Sequence, residues 1–304
     1  MTSKILFQFD VDSHPSSFDS VVAIDAGVDH LFRYDHVESS GVESLVHGAM
    51  FTRGGDDLRN TAIFVGGNDV RQAEELFAAV QNAFFGPVRV SVMLDASGCN
   101  TTAAAAVASI TKHMPLAGST SVVLGGTGPV GRRVAHMLAR QGVHVILTSR
   151  SLDRAESACA EIAAGLGKPS GASEGAEAGR LEAAAPENAE AKMAMLDRAD
   201  TIIACGAAGV ELVTARELQS LPKLRLAIDL NAVPPAGIGG IETFDKSKRM
   251  RENDDTSPIV YGPIGVGGLK MRTHKAAIAK LFQSNSLVLD ANEIYDITIE
   301  QMKQ

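Results

Sequence analysis

The 304-residue chain has no tryptophan and only three tyrosines and three cysteines. The cysteines are odd in number, lie far apart and form no Cys-x-x-Cys pair, which argues against a disulfide framework and against a cysteine-based metal or redox motif. The eight histidines include no His-x-x-x-His pair of the kind that binds zinc on a helix. We therefore expect no metal site.

Positive charge and long apolar runs are also scarce. Lysine and arginine number 28 against 36 acidic residues, a net charge of −8, and no basic run offers a footprint for nucleic acid. No apolar stretch is long enough to span a bilayer, and the N-terminus becomes polar too soon for a signal peptide. With its few cysteines, the chain is predicted to be cytoplasmic, with neither nucleic acid nor membrane as partner.

What the sequence does contain is an alternation of strand-like and helix-like segments. Its length favours two domains over one, and 45% hydrophobic and 21% charged residues are ordinary for a globular protein. Strands are predicted at 4–9, 62–65, 88–94, 143–148, 199–204 and 224–230, and helices at 15–26 (with Ser13 as a possible cap), 68–84, 101–114, 270–283 and 290–302. This alternation indicates an α/β fold with a parallel or mixed sheet. Residues 165–191, rich in Gly, Ala, Ser and Glu, are expected to form a mobile surface excursion without a function.

The most informative segment joins an apolar strand at 122–124 to a glycine turn and then to an amphipathic helix at 130–140. In this order Gly126 allows a tight turn, Gly128 lets the backbone approach a pyrophosphate, and Gly131 lets the helix pack closely on the strand. The free amides at the start of the helix then face the phosphates. The segment predicts a dinucleotide site formed by Gly126, Thr127, Gly128, Pro129, Val130 and Gly131.

The end of the next strand indicates which dinucleotide is bound. An NAD site usually places an Asp or Glu there for the ribose 2′-hydroxyl, but this chain has Ser149 and Arg150, and no carboxylate until Asp153. An arginine fork beside a hydroxyl attracts a 2′-phosphate and can donate two hydrogen bonds to it. NADP is the expected cofactor and NAD tolerance stays open. The alternative is that Arg150 only caps or solvates the turn.

Four polar segments follow strands and are candidate ligand loops, at 10–18, 95–102, 229–240 and 261–270. Each also has a purely structural interpretation. Asn100 and Thr101 would cap a helix, Asp10 and Asp12 would form a turn, and the glycines of the last segment would be tight turns. His136 and His274 are expected on helix faces without a chemical role. Because no Gly-x-Ser-x-Gly elbow or Ser-His-Asp set is present, a nicotinamide hydride reaction remains.

Several of these segments carry a family resemblance. Residues 4–10, 61–67, 84–87, 100–105, 126–131, 234–240 and 265–270 resemble the NAD(P)-dependent methylenetetrahydromethanopterin dehydrogenases of one-carbon metabolism. The resemblance spans the whole chain. It departs from the family pattern at Cys99, at Ser151, in the low-complexity segment and in a charged insert at 246–255.

The resemblance implies a Rossmann NADP-binding domain, residues 116–269, inserted into a smaller α/β pterin-binding domain built from residues 1–115 and 270–304, with the active site in the interdomain cleft. It implies NADP-dependent oxidation of methylene- to methenyltetrahydromethanopterin by direct hydride transfer, in the formaldehyde oxidation of methylotrophs. A homo-oligomer, trimer or hexamer, is also implied. Removing hydride from a carbon between two nitrogens leaves a delocalised cation, so the protein supplies mostly orientation and a suitable field.

Roles for individual residues follow from the same resemblance. On the carrier side they are Phe18, Asn100, Thr102 and Lys270, and near the nicotinamide Ala207 and Asn231. Asp95 would favour the developing positive charge, and Lys270 would hold or position the pterin, so these two are the predicted catalytic residues.

Three alternatives stay open at this stage. The first is the same reaction on methylenetetrahydrofolate, which shares the reacting imidazolidine ring. The second is a non-catalytic NADP sensor, since a Rossmann fold does not fix function. The third is a shikimate-dehydrogenase-like enzyme, which would need Lys270 and Asp95 as a proton relay.

Overall fold

The computed structural model describes residues 2–166, 179–251 and 254–303. The chain forms two compact units: unit 1 comprises Met1–Thr101 and Leu269–Gln304, and unit 2 comprises Thr102–Gly268. The first division falls within a helix, about fourteen residues before the limit expected at 115/116, because the alanine-rich helix begins in one unit and continues into the other.

The described elements, in chain order, are β1 Ile5–Asp10, α1 Ser17–Asp25, β2 His30–Tyr34, α2 Val42–Met50, β3 Thr61–Gly66, α3 Val70–Asn82, β4 Ser91–Leu94, α4 Cys99–Thr111, β5 Thr120–Leu124, α5 Pro129–Arg140, β6 His144–Thr148, α6 Leu152–Gly165, β7 Leu181–Ala184, α7 Ala189–Leu196, β8 Thr201–Ala204, α8 Ala215–Ser220, β9 Leu226–Asp229, β10 Lys248–Arg249, β11 Ile259–Tyr261, α9 Pro263–Lys280, β12 Val288–Leu289 and α10 Ala291–Met302. Short 3₁₀ turns lie at Gly55–Asn60, Ala96–Gly98 and Leu281–Gln283.

Unit 1 contains a five-stranded parallel sheet in the order β12-β4-β3-β1-β2. Every residue of β3 is buried, as expected for a central strand whose two faces are both covered by helices. In the register, Asp10 of β1 lies opposite Gly66 of β3, and Val65 lies opposite Leu94 of β4. The residues that follow these three strands therefore share one edge of the sheet.

Unit 2 contains a seven-stranded sheet in the order β10-β11-β9-β8-β5-β6-β7, parallel except for the antiparallel pair β10–β11. Its core is aliphatic and includes the fully buried Val122, Ile146 and Ile202 from three neighbouring strands. The carboxyl ends of β5, β8 and β9 are aligned, since Leu124 pairs with Ala204 and Ala204 with Asp229. This is the edge at which parallel α/β sheets bind ligands.

The α/β class and the seven predicted strands are confirmed, with ends that differ by at most three residues. Two local predictions are wrong. The cap of α1 is Ser16, whose side chain accepts the Asp19 amide, and not Ser13. The segment 261–270 is not a loop, because α9 already begins at Pro263 and runs through its glycines. Glycine at position 265 has a packing reason, since a Cβ there would lie 1.8 Å from the Asp245 carbonyl oxygen.

Nine of the described elements escaped the sequence analysis: β2, α2, α6, β7, α7, α8, β10, β11 and β12. Strand β2 is an edge strand with exposed polar residues and shows no clean alternation of burial. Helix α2 does carry a signal, because Val42, Val46, Ala49 and Met50 are buried at helical spacing. Strand β7 lies in the expected low-complexity excursion, of which residues 167–178 are outside the described residues. None of the helices in the described ranges is long and apolar enough to cross a membrane.

Candidate active site

The turn between β5 and α5 is formed by four glycines with different tasks. Gly125 carries the left-handed backbone conformation, with φ of 65°, and a Cβ there would lie 2.5 Å from the Gly206 Cα. The tight turn was expected at Gly126, but it falls one residue earlier. Gly126 instead allows close packing, because its Cβ would lie 2.6 Å from the Leu147 side chain. A Cβ at Gly131 would lie 2.6 Å from the Gly126 Cα, which confirms the predicted close contact between helix and turn.

Gly128 is the glycine that faces open space. The nearest atom to a Cβ built there is the Gly125 carbonyl oxygen at 3.9 Å. Gly128 is also the N-cap of α5, with Pro129 as the first helical residue and no side chain capping the helix. The first amides of α5 therefore remain available for an anion. A dinucleotide pyrophosphate fits this turn, since the space is left where its phosphates would approach the backbone.

Two neighbouring side chains shape the same turn. The buried Thr148 at the end of β6 accepts a hydrogen bond from the Gly125 amide through its Oγ1, at 3.2 Å. Arg132 donates from Nε to the Thr127 carbonyl oxygen at 3.1 Å and pairs with Glu161. The predicted Thr127 and Val130 are half-buried at this turn and Pro129 is exposed. These contacts fix the turn without filling the space beside Gly128.

Ser149 and Arg150 follow β6 as predicted. Ser149 is half-buried, and its hydroxyl accepts a long hydrogen bond from the Ser151 amide at 3.4 Å. Arg150 is exposed, and its guanidinium makes no hydrogen bond or ion pair with any described residue. Ser151, and not Arg150, caps α6. The arginine is therefore available to a 2′-phosphate.

Ala207 and Asn231 follow β8 and β9 at the same edge. Ala207 is exposed. The Asn231 side chain organises its own loop, since Nδ2 donates to the Pro235 carbonyl oxygen at 3.1 Å and Oδ1 accepts from the Val233 amide at 3.0 Å. Beneath it, the buried Asp229 accepts the Asn231 and Ile238 amides, and burial raises the pKa of the Asp229 carboxyl. The loop is thus held in place from below.

Unit 1 has a cavity of about 320 Å³ at the edge where β1, β3 and β4 end. Its walls include Asp12, Phe18, Asp19, Asn68 and Ser97. The Asp12 carboxylate accepts hydrogen bonds from Asn68, from the backbone amide at 3.0 Å and from Nδ2 at 2.6 Å, which ties the end of β1 to the loop after β3. The cavity is therefore polar and firmly walled on this side.

Phe18 and Lys270, both predicted carrier residues, lie together in this unit. The Phe18 side chain lies at the start of α1 and is 51% exposed. The Lys270 Nζ on α9 lies 4.3 Å from the centre of the Phe18 ring, which is a cation–π contact. A flat aromatic surface with a cation at its side is suited to a planar heterocycle.

His274 lies behind this surface, and the sequence analysis gave it no role. It is fully buried, and its ring stacks on Phe64 with centroids 5.8 Å apart. Nε2 lies 3.9 Å from Asp19 Oδ1, and Nδ1 lies 3.9 Å from Asp95 Oδ2, both too long for a hydrogen bond. Burial lowers the pKa of His274 to about 4, so the ring is neutral at pH 7. The spacing from Lys270 to His274, one helical turn, is the signal that could have revealed it.

Asp19 also escaped the sequence analysis. It follows Phe18 on α1, is nearly buried, and lines the cavity. Burial, followed by the negative charge of Asp95, raises the pKa of the Asp19 carboxyl to about 7. An acid in the first turn of a helix usually only complements the helix dipole, so the sequence offered little reason to single it out.

Asp95 has a different environment. It is fully buried, and its carboxylate accepts the amides of Asn100 and Thr101 at 2.9 and 3.0 Å and the Thr101 hydroxyl at 2.6 Å. Asp95 therefore caps α4, a task that the sequence analysis offered to Asn100 and Thr101. The Asn100 amide, also buried, donates to the Leu94 carbonyl oxygen at 2.7 Å and to Asp290 Oδ1 at 2.9 Å. Thr102 is half-buried in the first turn of α4.

A family described as "Methylene-tetrahydromethanopterin dehydrogenase, N-terminal" matches residues 17–97. The chain is 43% identical to the "Bifunctional protein MdtA" of Methylorubrum extorquens AM1 over 303 residues, 99% of each chain. It is 32% identical to the "NAD(P)-dependent methylenetetrahydromethanopterin dehydrogenase" of the same organism over 307 residues, again 99% of each chain.

Among solved structures, a shikimate 5-dehydrogenase from Mycobacterium fortuitum aligns with a TM-score of 0.50 over 97% of each chain, at 14% sequence identity. At this identity the likeness concerns the fold alone. It shows a dehydrogenase-like α/β architecture with parallel sheets.

Proposed function

The chain belongs to the family of NAD(P)-dependent methylenetetrahydromethanopterin dehydrogenases, and on that premise we propose that it oxidises methylene- to methenyltetrahydromethanopterin with NADP as hydride acceptor, in one-carbon metabolism. The glycine turn is the observation that carries the proposal. Of its glycines, Gly125, Gly126 and Gly131 are closely packed, whereas Gly128 is left open at the start of α5. NADP, when bound, supplies the nicotinamide ring that accepts the hydride.

The residues of the chain provide binding and orientation. Gly128 and the first amides of α5 bind the pyrophosphate, and the exposed Arg150 binds the 2′-phosphate with Ser149 at its side. NAD is expected to bind more weakly than NADP, because no carboxylate follows β6 to accept a hydrogen bond from the free 2′-hydroxyl of NAD. Phe18 and Lys270 hold the pterin on the aromatic surface of unit 1.

The remaining assignments are part of the same proposal. We assign the carrier to unit 1 and the dinucleotide to unit 2, with the second unit inserted into the first in the chain. We further propose that the protein is a cytoplasmic homo-oligomer. Light scattering on the purified chain tests its oligomeric state.

The deciding experiment follows the absorbance of reduced nicotinamide with purified protein. Four reactions combine NADP or NAD with methylenetetrahydromethanopterin or methylenetetrahydrofolate. Rapid reduction of NADP with the methanopterin carrier is expected, with slower reduction of NAD. Activity with the folate carrier alone would contradict the carrier assignment, and tight NADP binding without any reduction would favour the NADP sensor.

A further inference from the structure

The proposed reaction creates a positive charge on the carrier, and three carboxyl groups of unit 1 lie in or near its cavity. Asp95 is fully buried, and both of its oxygens accept hydrogen bonds from the start of α4. Asp12 lies in the cavity wall, but its carboxylate is held by the amide and the side chain of Asn68. Asp19 also forms part of the wall, next to Phe18, and its side chain is 11% exposed.

Three elements carry the titratable groups that act on Asp19, and Asp12 and His14 also line the cavity. Asp10 ends β1, Asp95 follows β4, and Lys270 and His274 lie on α9. Asp10 is buried and is satisfied by the amides of Asp12 and Ser16. His274 is buried in its neutral form and hydrogen-bonds to neither carboxyl, so Lys270 is the one cation in this set.

This balance of charges determines the state of Asp19 before the reaction. Burial and the charges of Asp95 and Asp10 raise the pKa of Asp19 to about 7, whereas a hydrogen bond from Ser16 and the charge of Lys270 act in the opposite direction. A large fraction of the Asp19 carboxyl is thus protonated near neutral pH. A new positive charge in the cavity would favour its ionised form.

We propose that Asp19 is a further catalytic residue, whose carboxyl group contacts the carrier and loses its proton as the methenyl cation forms, so that a carboxylate balances the new charge. The inference rests on the proposed function. A C–H bond of the methylene carbon breaks, and the hydrogen with both electrons passes to the nicotinamide, so the carbon is oxidised and the nicotinamide reduced. Separately, the O–H bond of Asp19 breaks and its proton passes to water.

The overall reaction in solution releases no proton, since a hydride alone is transferred. Proton release on the protein is therefore specific to the proposal. It is expected when the charged methenyl carrier binds and not when the uncharged methylene carrier binds. The release diminishes above about pH 8, where Asp19 is already ionised in the free protein.

The test is calorimetric titration of the full chain, with NADP present, with methenyltetrahydromethanopterin in two buffers of different ionisation enthalpy. The difference in heat gives the protons released on binding. For the wild type we expect a release of up to about 0.9 proton per carrier at pH 6 and up to about half a proton at pH 7. Asp19→Asn should release none, and Asp19→Glu should restore the release. Asp95→Asn should keep the release but move it to lower pH, because the charge of Asp95 raises the pKa of Asp19. In turnover at pH 7, Asp19→Asn should lower kcat/KM by at least about tenfold.

Binding of the methenyl carrier without proton release by the wild type would overturn the inference. Undiminished release by Asp19→Asn would do the same, and loss of release in Asp95→Asn alone would give the role to Asp95. Proton release without any reduction of NADP would contradict the proposed function and Asp19 as a catalytic residue, and would leave only the contact between Asp19 and the carrier. Failure of the wild type to bind the carrier would overturn both.

Discussion

The two proposed binding sites of this protein are built in opposite ways. In unit 2 the proposed dinucleotide site consists of backbone and open space: one open glycine, the uncapped start of α5 and an exposed arginine. In unit 1 the proposed carrier site consists of side chains, several of them ionisable and buried, behind the exposed ring of Phe18.

The two proposed sites differ because the charge of one ligand is constant, whereas the charge of the other changes during the reaction. A pyrophosphate is already charged when it binds, so fixed amides and a solvated arginine suit it and nothing needs to titrate. The carrier changes its charge during the proposed reaction, and burial raises the pKa of one carboxyl group of unit 1, Asp19, to about 7. We therefore expect substitutions in unit 2 to affect binding, and substitutions in unit 1 to affect pH dependence.

The largest effect is expected at the glycine turn. Gly128→Val fills the space beside the helix start and should weaken NADPH binding by more than about 100-fold, while the melting temperature stays close to that of the wild type. The matched variant is Gly131→Val, whose Cβ would lie 2.6 Å from the Gly126 Cα and should destabilise the fold itself. Fluorescence titration with NADPH and thermal unfolding separate the two outcomes. If Gly128→Val bound NADPH with the affinity of the wild type, Gly128 would not be part of the pyrophosphate site.

A smaller effect in unit 2 concerns the choice of dinucleotide. Arg150→Glu replaces the proposed 2′-phosphate ligand with a repelling charge and should raise the KM for NADP by about 30- to 100-fold, or about 2–3 kcal/mol. The KM for NAD should change by less than about threefold, because NAD lacks the phosphate. Steady-state kinetics with both dinucleotides give the ratio. Equal losses for NADP and NAD would remove Arg150 from this role.

The same contrast explains what the sequence could predict. The strand, glycine turn and helix of unit 2 are local in the chain, so spacing alone located Gly128, Gly131 and Arg150. Even there the tight turn was misplaced by one residue, because Gly125 and Gly126 differ only in which neighbour approaches them. Phe18 and Lys270 came from family resemblance, which no local pattern could have replaced.

The buried cluster of unit 1 is not local. Asp19, Asp95 and His274 come from α1, the end of β4 and α9. Only folding places the two ring nitrogens of His274 3.9 Å from the carboxyl groups of Asp19 and Asp95. Their protonation depends on burial, which a sequence does not display. Asp95 was singled out because it follows a strand, but that position also suits a helix cap, and the structure shows it capping α4.

A third prediction uses stability to test the buried charges. The pKa of Asp19 rises from 3.8 to about 7 on folding, so the folded state binds more protons and the group destabilises the fold increasingly between about pH 4 and pH 7. His274, with its pKa lowered from 6.5 to about 4, destabilises the fold increasingly as pH falls through the same range. In the wild type the two pH dependences oppose each other.

Substitution of either residue should therefore reveal the pH dependence of stability that the other residue causes. Asp19→Asn should be more stable than the wild type at pH 8 by about 2–4 kcal/mol and lose stability more steeply on acidification. His274→Asn should show the reverse slope, with stability falling as pH rises from 4 to 7. Urea unfolding at several pH values measures both. Parallel stability curves for all three proteins would show that these groups do not titrate as a buried pair.

The smallest effect is expected at Lys270, which acts both on the protonation of Asp19 and on the proposed binding of the carrier. Its ammonium lowers the pKa of Asp19 and lies 4.3 Å from the Phe18 ring. Lys270→Gln should move the proton release of the carrier titration to higher pH, by less than about one pH unit, and weaken carrier binding by about 0.5–1 kcal/mol. Lys275→Gln is the matched control on the same helix, because Lys275 pairs with Asp25 at the surface and should leave the titration unchanged. An unchanged pH profile of proton release in Lys270→Gln would mean that Lys270 does not act on Asp19, and that the aromatic surface and the buried carboxyl work independently.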